Sequence, residues 1–272
     1  MENSSELRSI ISELIAGGVT GKSAVGGCIV EYHDTLSSTQ VRAKELAGEG
    51  VKRALVIAGE QSAGRGRAAR RWESPKGSGL YFSVLFRPAL PKGSAHMVNA
   101  AAALSVAGAV RSLPGPELQL KWPNDLLISS ACGYRKVCGI LSESALRGES
   151  LDYCITGIGL NLYPPPGLPP DLKDRVGWLW GEGKINRAEL LSLIVEKFFN
   201  WIHIMEREGV EHVLSAYRER CASVGRVVVV ETDSETLTGL CAGIGNDGEL
   251  LVETPEGTRR FHVADVTHAR LE

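Results

Sequence analysis

Apolar residues recur along this chain with the two periods that are typical of strands and helices. Short runs of mostly β-branched or otherwise apolar residues predict strands. They cover residues 26–33, 54–58, 79–86, 118–122, 126–128, 136–143 and 152–160. Because most of these runs are apolar at nearly every position, we expect a sheet that is covered by helices.

Longer segments with a period of three to four residues predict helices. They cover residues 5–16, 92–111, 186–205 and 210–220. Gly17 and Gly18 end the first, which is too short to be a complete helix-turn-helix domain. Asn186 and Glu189 have the spacing of a capping box at the start of the third.

The pattern changes after Cys221 to short β-type runs with closely spaced turns. These runs cover residues 225–232, 237–244, 250–254, 260–263 and 266–271. Such spacing predicts a small all-β barrel. We therefore expect a helical lead-in at 1–25, a large domain at 26–222 and a small β domain at 223–272.

A glycine- and arginine-rich loop, GEQSAGRGRAARRW at 59–72, lies between two of the predicted strands. Glycines allow sharp turns and close approach of a ligand to backbone N–H groups, and arginines suit phosphate or carboxylate oxygens. A tryptophan next to the loop is able to stack on a flat ring. A solvated connector, a nucleic-acid patch and a nucleotide-binding loop all fit this stretch alone, and the common nucleotide motifs are absent from it.

Composition and net charge bear on the three interpretations of this loop. The 272 residues carry a net charge of −2 with 43% hydrophobic residues, which argues against a protein that coats nucleic acid. The six cysteines form no C-x-x-C pair, so we expect reduced thiols in a cytoplasmic protein and assign no metal ligand. The N-terminus lacks the features of a secretory signal, and the apolar window at 97–110 is too short to span a membrane.

Polar residues gather where predicted strands end, which is where ligand sites collect in α/β folds. Lys121, Asn124 and Asp125 follow one strand, Lys136 begins another and Asn161 closes a third. Each residue alone fits an ordinary turn or edge position. The set as a whole, together with the glycine–arginine loop, favours a binding site for an anionic ligand.

These motifs make the chain resemble the biotin–protein ligases of the biotin–[acetyl-CoA-carboxylase] ligase type. The matching pieces occur in the family's order between residues 29 and 272. They are S-S-T-Q at 37–40, Gln61 with A-G-R-G-R at 63–67, Trp72, K-W-P-N-D at 121–125, Lys136 with G-I-L at 139–141, and G-I-G-L-N at 157–161. The resemblance implies an α+β fold, with a class II synthetase-like mixed sheet packed with helices and a C-terminal SH3-like β-barrel.

It also implies a two-step reaction. Biotin and ATP, with Mg²⁺, form biotinoyl-5′-adenylate, and a lysine of a biotin carboxyl carrier domain then takes the biotin and releases AMP. The carrier domain would belong to acetyl-CoA carboxylase or to another biotin-dependent carboxylase.

The same resemblance implies roles for individual residues. The expected catalytic residues are Lys136, Arg67 and Asp125, the last of which orients or deprotonates the acceptor lysine. The expected biotin-binding residues are Ser38, Thr39, Gln40, Gln61, Arg65, Gly66, Arg67 and Lys136. The expected nucleotide-binding residues are Arg65, Arg67, Arg70, Trp72, Lys121, Asn124 and Asn161, with Trp72 packed on the adenine.

Some family members carry an N-terminal DNA-binding domain and repress biotin genes. Because only about two dozen residues precede the first predicted strand, we expect no specific DNA binding and no repressor function. A homodimer is a further expectation. The alternatives are a lipoate–protein ligase, which shares the fold and the adenylate chemistry, and a nucleic-acid-binding regulator that uses the arginine cluster.

Overall fold

The structure is a computed structural model. It describes residues 9–13, 21–130, 133–165, 167, 175–181, 185–232, 234–262 and 265–268. The predicted lead-in helix is described at residues 9–13, which are helical, and its remaining residues lie outside the described ranges. Ile11 of this stretch is fully buried in the main hydrophobic core.

The larger unit is built on an eight-stranded mixed sheet. Its strands are β1 (Gly21–Val25), β2 (Cys28–Leu36), β3 (Ala54–Gln61), β4 (Gly79–Phe86), β5 (Gln119–Lys121), β6 (Asp125–Ser130), β7 (Gly133–Arg147) and β8 (Ser150–Asn161). Their order in the sheet is β1-β2-β3-β4-β8-β7-β6-β5. The pair β2 and β3 is parallel and the other neighbours are antiparallel.

Besides the helical residues 9–13, the described part of this unit has four helices: α1 (Thr39–Gly48), α2 (Ala95–Arg111), α3 (Arg187–Glu208) and α4 (Glu211–Arg220). The Asn186 side chain accepts a hydrogen bond from the Glu189 backbone N–H at 3.1 Å and caps α3, as its spacing predicts. Two 3₁₀ turns, Arg67–Ala69 and Lys92–Ser94, lie in the loops.

The sheet buries both faces because residues on a strand alternate between them. On β3, Leu55 and Ile57 join the large core under α2, α3 and α4, whereas Ala54 and Val56 join a smaller cluster under α1. This arrangement explains why the strand sequences are apolar at nearly every position. It confirms the predicted α+β class with a helix-covered sheet.

Helix α2 together with the preceding turn, Lys92–Arg111, is long and apolar enough to cross a membrane by composition. In the fold, however, 72% of that apolar window is buried. The alanine-rich sequence lets the helix approach α3 and the sheet closely, so its apolar character is accounted for by core packing.

The smaller C-terminal unit is an antiparallel sheet of β9 (Val227–Glu231), β10 (Thr236–Ile244), β11 (Leu250–Thr254), β12 (Gly257–Phe261) and β13 (Asp265–His268). The predicted all-β unit is therefore confirmed. The C-terminal unit contacts the larger unit near the K-W-P-N-D turn, where the Trp122 indole N–H donates to the Gly248 carbonyl at 2.9 Å. The Ala222 N–H also donates to the Leu120 carbonyl at 2.7 Å.

One element differs from the sequence expectation. Residues 21–25, which the sequence analysis placed in the helical lead-in, form β1 and pair with β2 across a Gly26-Gly27 turn. Both glycines have positive φ, which allows the tight reversal. The pattern was missed because Gly21–Val25 contains small and polar residues and is half exposed, so it carries no apolar period.

A charged cluster lies near this sheet edge. Glu31 on β2 is 4% exposed and contacts Arg42 at 2.9 Å, Lys22 at 3.2 Å and His33 at 3.2 Å. Burial by itself raises the pKa of Glu31, but the hydrogen bonds from these three partners lower it from 4.5 to about 2. The cluster therefore stabilises the fold only while Glu31 is ionised.

Candidate active site

A cavity of about 1610 Å³ opens between the glycine–arginine loop and the ends of β5, β6, β7 and β8. Every site residue that the sequence analysis named lines it: Ser38, Thr39, Gln40, Gln61, Arg65, Gly66, Arg67, Arg70, Trp72, Lys121, Asn124, Asp125, Lys136 and Asn161. The structure thus brings together residues that are separated by up to 123 positions in the sequence, counted from Ser38 to Asn161. Their individual roles stay predictions.

The glycine–arginine loop folds back on itself like a small hairpin. The Gly66 N–H donates to the Arg70 carbonyl at 2.7 Å, and the Trp72 N–H donates to the Gly64 carbonyl at 3.0 Å. A Cβ at Gly64 would overlap the Trp72 carbonyl, so the glycine is required for this close approach. The fold-back directs Arg65, Gly66, Arg67 and Arg70 to the cavity wall.

Trp72 closes the loop and lies flat against the sheet. A Cβ at Gly139 would come within 2.8 Å of its ring, and a Cβ at Gly159 would overlap the indole. The Lys136 ammonium lies 5.1 Å from the centroid of the ring, within the range of a cation–π contact. The two glycines of neighbouring strands therefore make the space that the indole fills.

A half-buried cluster of charged and polar side chains lies beside the indole. The Lys136 Nζ is 2.7 Å from the Asp125 Oδ1, across the neighbouring strands β7 and β6. Arg67 donates to the Asn124 side-chain oxygen at 3.3 Å, and Asn124 in turn donates to the Ile140 carbonyl at 2.9 Å. The K-W-P-N-D turn and the loop are thus joined by side-chain contacts.

Positive charge dominates this part of the cavity. Burial lowers the pKa of Lys121; Asp125 opposes that shift, and the neighbouring cations Lys136, Arg175 and Arg70 add to it. Burial likewise lowers the pKa of Arg67. Cations that are packed this closely are stabilised by an anion, so the cavity suits a ligand with several negative oxygens.

The opposite end of the cavity is neutral and polar. Gln61 accepts from the Thr39 N–H at 2.9 Å and donates to the Ser74 hydroxyl at 2.8 Å. Among the described residues, the Ser38 hydroxyl has no hydrogen-bond partner, although Ser38 is 1% exposed. An unpaired buried hydroxyl at a cavity wall suits a ligand that carries its own polar groups. Gln40 differs from its neighbours, because protein atoms contact both ends of its amide.

Some cavity residues lie outside the motifs recognised in the sequence and were not predicted. Arg175 and Trp178 line the cavity because their segment pairs with Lys136: the Lys136 N–H donates to the Arg175 carbonyl at 2.9 Å. The Gly177 N–H donates back to the Lys136 carbonyl at 2.8 Å, and the Gly177 carbonyl accepts from the Asn161 amide at 3.1 Å. This segment lies in a proline- and glycine-rich stretch, so no period marked it.

A second missed contact joins the two units at the cavity. Arg226 of the C-terminal unit donates to the Tyr134 hydroxyl at 2.8 Å, and its guanidinium lies 4.7 Å from the Tyr134 ring. Both residues line the cavity. Contacts between units carry no local sequence signal, since each residue looks like an ordinary surface position in its own segment.

The described residues provide no cage for a metal ion: among them, no three His, Cys, Asp or Glu side chains come close enough to share one.

Comparison with known proteins gives the family. The profile of the Biotin/lipoate A/B protein ligase family matches residues 32–161, and that of the Biotin protein ligase C terminal domain matches residues 224–268. The chain is 33% identical to the Bifunctional ligase/repressor BirA of Bacillus subtilis over 250 residues, covering 90% of this chain and 75% of that protein. It is 31% identical to the Biotin--[acetyl-CoA-carboxylase] ligase of Paracoccus denitrificans, covering 84% of this chain and 96% of that protein.

A solved structure agrees with these relatives. The biotin protein ligase of Aquifex aeolicus in complex with biotin and ATP superposes with a TM-score of 0.73 at 25% identity, over 88% of this chain and 99% of that one. The expected synthetase-like α+β domain and the SH3-like C-terminal unit are both confirmed. Sequence relatives, both family profiles and the fold therefore agree that this chain belongs to the biotin protein ligase family.

Proposed function

We propose that this protein is a biotin–[acetyl-CoA-carboxylase] ligase that joins biotin to a lysine of a carrier domain through a biotinoyl-5′-adenylate. The observation that carries this proposal is the division of one cavity into a cationic end and a neutral polar end. Biotin has a neutral polar ring and a carboxylate tail, and ATP has a polyanionic chain. The family's relatives include enzymes with this name, and the Aquifex structure contains both substrates.

In the first step, a carboxylate oxygen of biotin attacks the α-phosphorus of ATP, and the bond to pyrophosphate breaks. Two anions must meet, so cations have to offset their repulsion. Arg67, Lys121 and Lys136 serve that purpose, since all three line the cationic end. We assign the Trp72 ring and the side chains of Asn124, Asn161 and Arg70 to the nucleoside, because all of them line the cavity.

In the second step, the acceptor lysine nitrogen attacks the acyl carbon, a C–N bond forms, and AMP leaves with the carboxyl oxygen. The attacking amine must lose a proton. Asp125 is the carboxylate we assign to orient the amine or take that proton, because it lines the cavity beside Lys136. Its Oδ1 lies 2.7 Å from the Lys136 Nζ.

Mg²⁺ enters as the counterion of the triphosphate, where it would neutralise charge at the leaving group. The partner in the second step is the biotin carboxyl carrier domain of acetyl-CoA carboxylase or of another biotin-dependent carboxylase.

We also propose that the chain acts as a ligase without specific DNA binding or repressor function. Its Paracoccus relative, which it covers over 96% of the length, is named for ligase activity alone. A cytoplasmic location fits the free cysteines, of which Cys138, Cys154, Cys221 and Cys241 are buried thiols. A homodimer stays a prediction.

The test is mass spectrometry of a carrier domain that has been incubated with the protein, Mg-ATP and biotin. The expected product is one biotinoyl amide on the acceptor lysine, formed only when ATP is present. A parallel reaction with lipoate separates the two acids, and a lipoyl product in place of the biotinoyl product would overturn the assignment. A salt-dependent affinity for duplex DNA would support the regulator alternative instead.

A further inference from the structure

We propose that Arg226 of the C-terminal unit binds the two terminal phosphates of ATP and the pyrophosphate that leaves in the first step. This inference deepens the proposed function and rests on it, because the ligand at the cationic end of the cavity is taken to be ATP. Arg226 belongs to none of the motifs by which the family was recognised. The C-terminal unit thereby takes part in the formation of the adenylate.

The cavity runs along one face of β7. Tyr134 and Lys136 are two positions apart with no bulge between them, so their side chains share a face, and both line the cavity. Farther along the strand come Gly139, against which the indole packs, and Leu141, whose carbonyl accepts from the Gln40 amide of the neutral end at 3.4 Å. In the order of β7, the cavity therefore passes from its neutral end past the indole and the Lys136 ammonium to Tyr134.

This order determines where the triphosphate extends. The biotin carboxylate comes from the neutral end and meets the α-phosphate at Lys136, the cation assigned to this step. The attacking and leaving oxygens of a phosphoryl transfer lie roughly in line on opposite sides of the phosphorus. The β- and γ-phosphates therefore lie on the side of Lys136 that faces away from biotin. On β7 that side is the position of Tyr134, where the Arg226 guanidinium lies.

Arg226 is held in place in a way that leaves it able to bind phosphate. Its guanidinium lies 4.7 Å from the Tyr134 ring, and one nitrogen donates to the Tyr134 hydroxyl at 2.8 Å. Its backbone is fixed too, because its carbonyl accepts from the Cys241 N–H at 2.8 Å and its N–H donates to the Ser223 carbonyl at 3.2 Å. A guanidinium has five N–H donors in a planar fork, so one bond to Tyr134 leaves donors for phosphate oxygens.

The leaving group needs such a cation. As the bond from the α-phosphorus to the bridging oxygen breaks, its electron pair stays on that oxygen and the negative charge of the β-phosphate increases. An arginine offsets this charge with charge-assisted hydrogen bonds. Because pyrophosphate has left before the acceptor lysine attacks, Arg226 serves the first step and not the second.

The test compares a nucleotide with the terminal phosphates and a ligand without them. The first is α,β-methylene-ATP, which cannot release pyrophosphate, and it is titrated by calorimetry with Mg²⁺ and saturating biotin. The second is a stable phosphodiester analogue of biotinoyl-5′-adenylate. Arg226→Ala should weaken binding of α,β-methylene-ATP by about 10-fold and leave binding of the adenylate analogue unchanged.

Kinetics should show the same division. In biotin-dependent pyrophosphate exchange, Arg226→Ala should raise the KM for pyrophosphate and for ATP by about 10-fold. The dissociation constant of biotin should stay at its wild-type value, and so should the rate at which a carrier domain discharges synthetic biotinoyl-5′-adenylate. Equal losses in both steps would mean that Arg226 only fastens the two units together, and would overturn the inference.

Two further variants separate the phosphate contact from a structural role. Tyr134→Phe removes the hydrogen bond between the units but keeps the ring and Arg226, so it should lose far less affinity for α,β-methylene-ATP than Arg226→Ala. Arg259→Ala is the matched control, because Arg259 is another exposed arginine of the C-terminal unit, lies 5.6 Å from the Phe261 ring and is not among the residues that line the cavity. It should bind α,β-methylene-ATP as the wild type does.

Unchanged binding of α,β-methylene-ATP in folded Arg226→Ala protein overturns the inference, as does an equal loss in Tyr134→Phe or Arg259→Ala. Arg226→Gln, which keeps a donor for the Tyr134 hydroxyl and lacks the charge, decides if Arg226→Ala does not fold. Absence of biotin-dependent exchange in the wild-type protein would instead refute the proposed function.

Discussion

Removing the Lys136 ammonium is the sharpest test of the cationic end of the cavity. At an effective dielectric constant near 20, a unit charge about 4 Å from a phosphate oxygen contributes roughly 4 kcal/mol. Losing one such contact typically costs on the order of 10²–10³ in rate. We therefore expect Lys136→Ala to reduce adenylate formation by about that factor.

The fold should survive this change. The Lys136 side chain is 33% exposed, and an ion pair with that exposure contributes little to the free energy of unfolding. The backbone hydrogen bonds of Lys136 to Arg175 and Gly177 do not depend on its side chain. A change in thermal stability would indicate a structural role rather than the electrostatic one.

Biotin-dependent exchange of labelled pyrophosphate into ATP measures the first step directly. Lys92→Ala is the control, because Lys92 is an exposed lysine whose ion pair with Glu149, at 2.9 Å, lies away from the cavity. Synthetic biotinoyl-5′-adenylate then tests the second step alone, which should lose less than the first. Folded Lys136→Ala protein with an undiminished exchange rate would refute the assignment.

Further predictions concern the indole and the Glu31 cluster. Trp72→Ala should weaken ATP use by about 1–3 kcal/mol and biotin binding by much less, as measured by separate titrations; equal losses for both would indicate simple core packing. Gly159→Ala should push the Trp72 ring aside and lower both exchange activity and, by about 1–3 kcal/mol, stability, whereas Gly48→Ala, with open space around it, should change neither. The folded-state pKa of Glu31 is lowered from 4.5 to about 2. Its contribution to the free energy of unfolding is therefore complete above pH 4.5 and is lost as the pH falls toward 2. Glu31→Gln should therefore cost roughly 1–3 kcal/mol at pH 7 and flatten the pH dependence of urea unfolding over that window, unlike the exposed control Glu149→Gln.

Much of the main sheet could be predicted from the sequence because strands such as β3 and β4 are apolar on both faces. The run at 79–86 matches β4 at both ends, and the capping box at Asn186 marks the start of α3. The strand β1 could not be found in this way. It is half exposed and made of small and polar residues, and its pairing with β2 depends on a turn rather than on a hydrophobic pattern.

The candidate site, too, could be predicted from the sequence only in part. Motifs with rare composition, such as the glycine–arginine loop and K-W-P-N-D, identified the residues that line the cavity. Ser83 was not predicted to line the cavity, because a serine within an apolar strand looks like a tolerated core position and its hydrogen bond to Gln40 joins residues 43 positions apart. Contacts between segments that are distant in the sequence, such as those of Trp178 and Arg226, leave no pattern in the local sequence from which they could be predicted.

The most direct measurement is a chase experiment on the complete reaction. The protein is loaded with biotin and Mg-ATP, freed of excess ligand and examined by native mass spectrometry before and after a carrier domain is added. The account predicts a complex that retains biotinoyl-5′-adenylate, and then its loss with equal amounts of biotinoyl carrier and AMP. Biotinylated carrier that forms without a retained adenylate, or an adenylate that the carrier does not discharge, would contradict it.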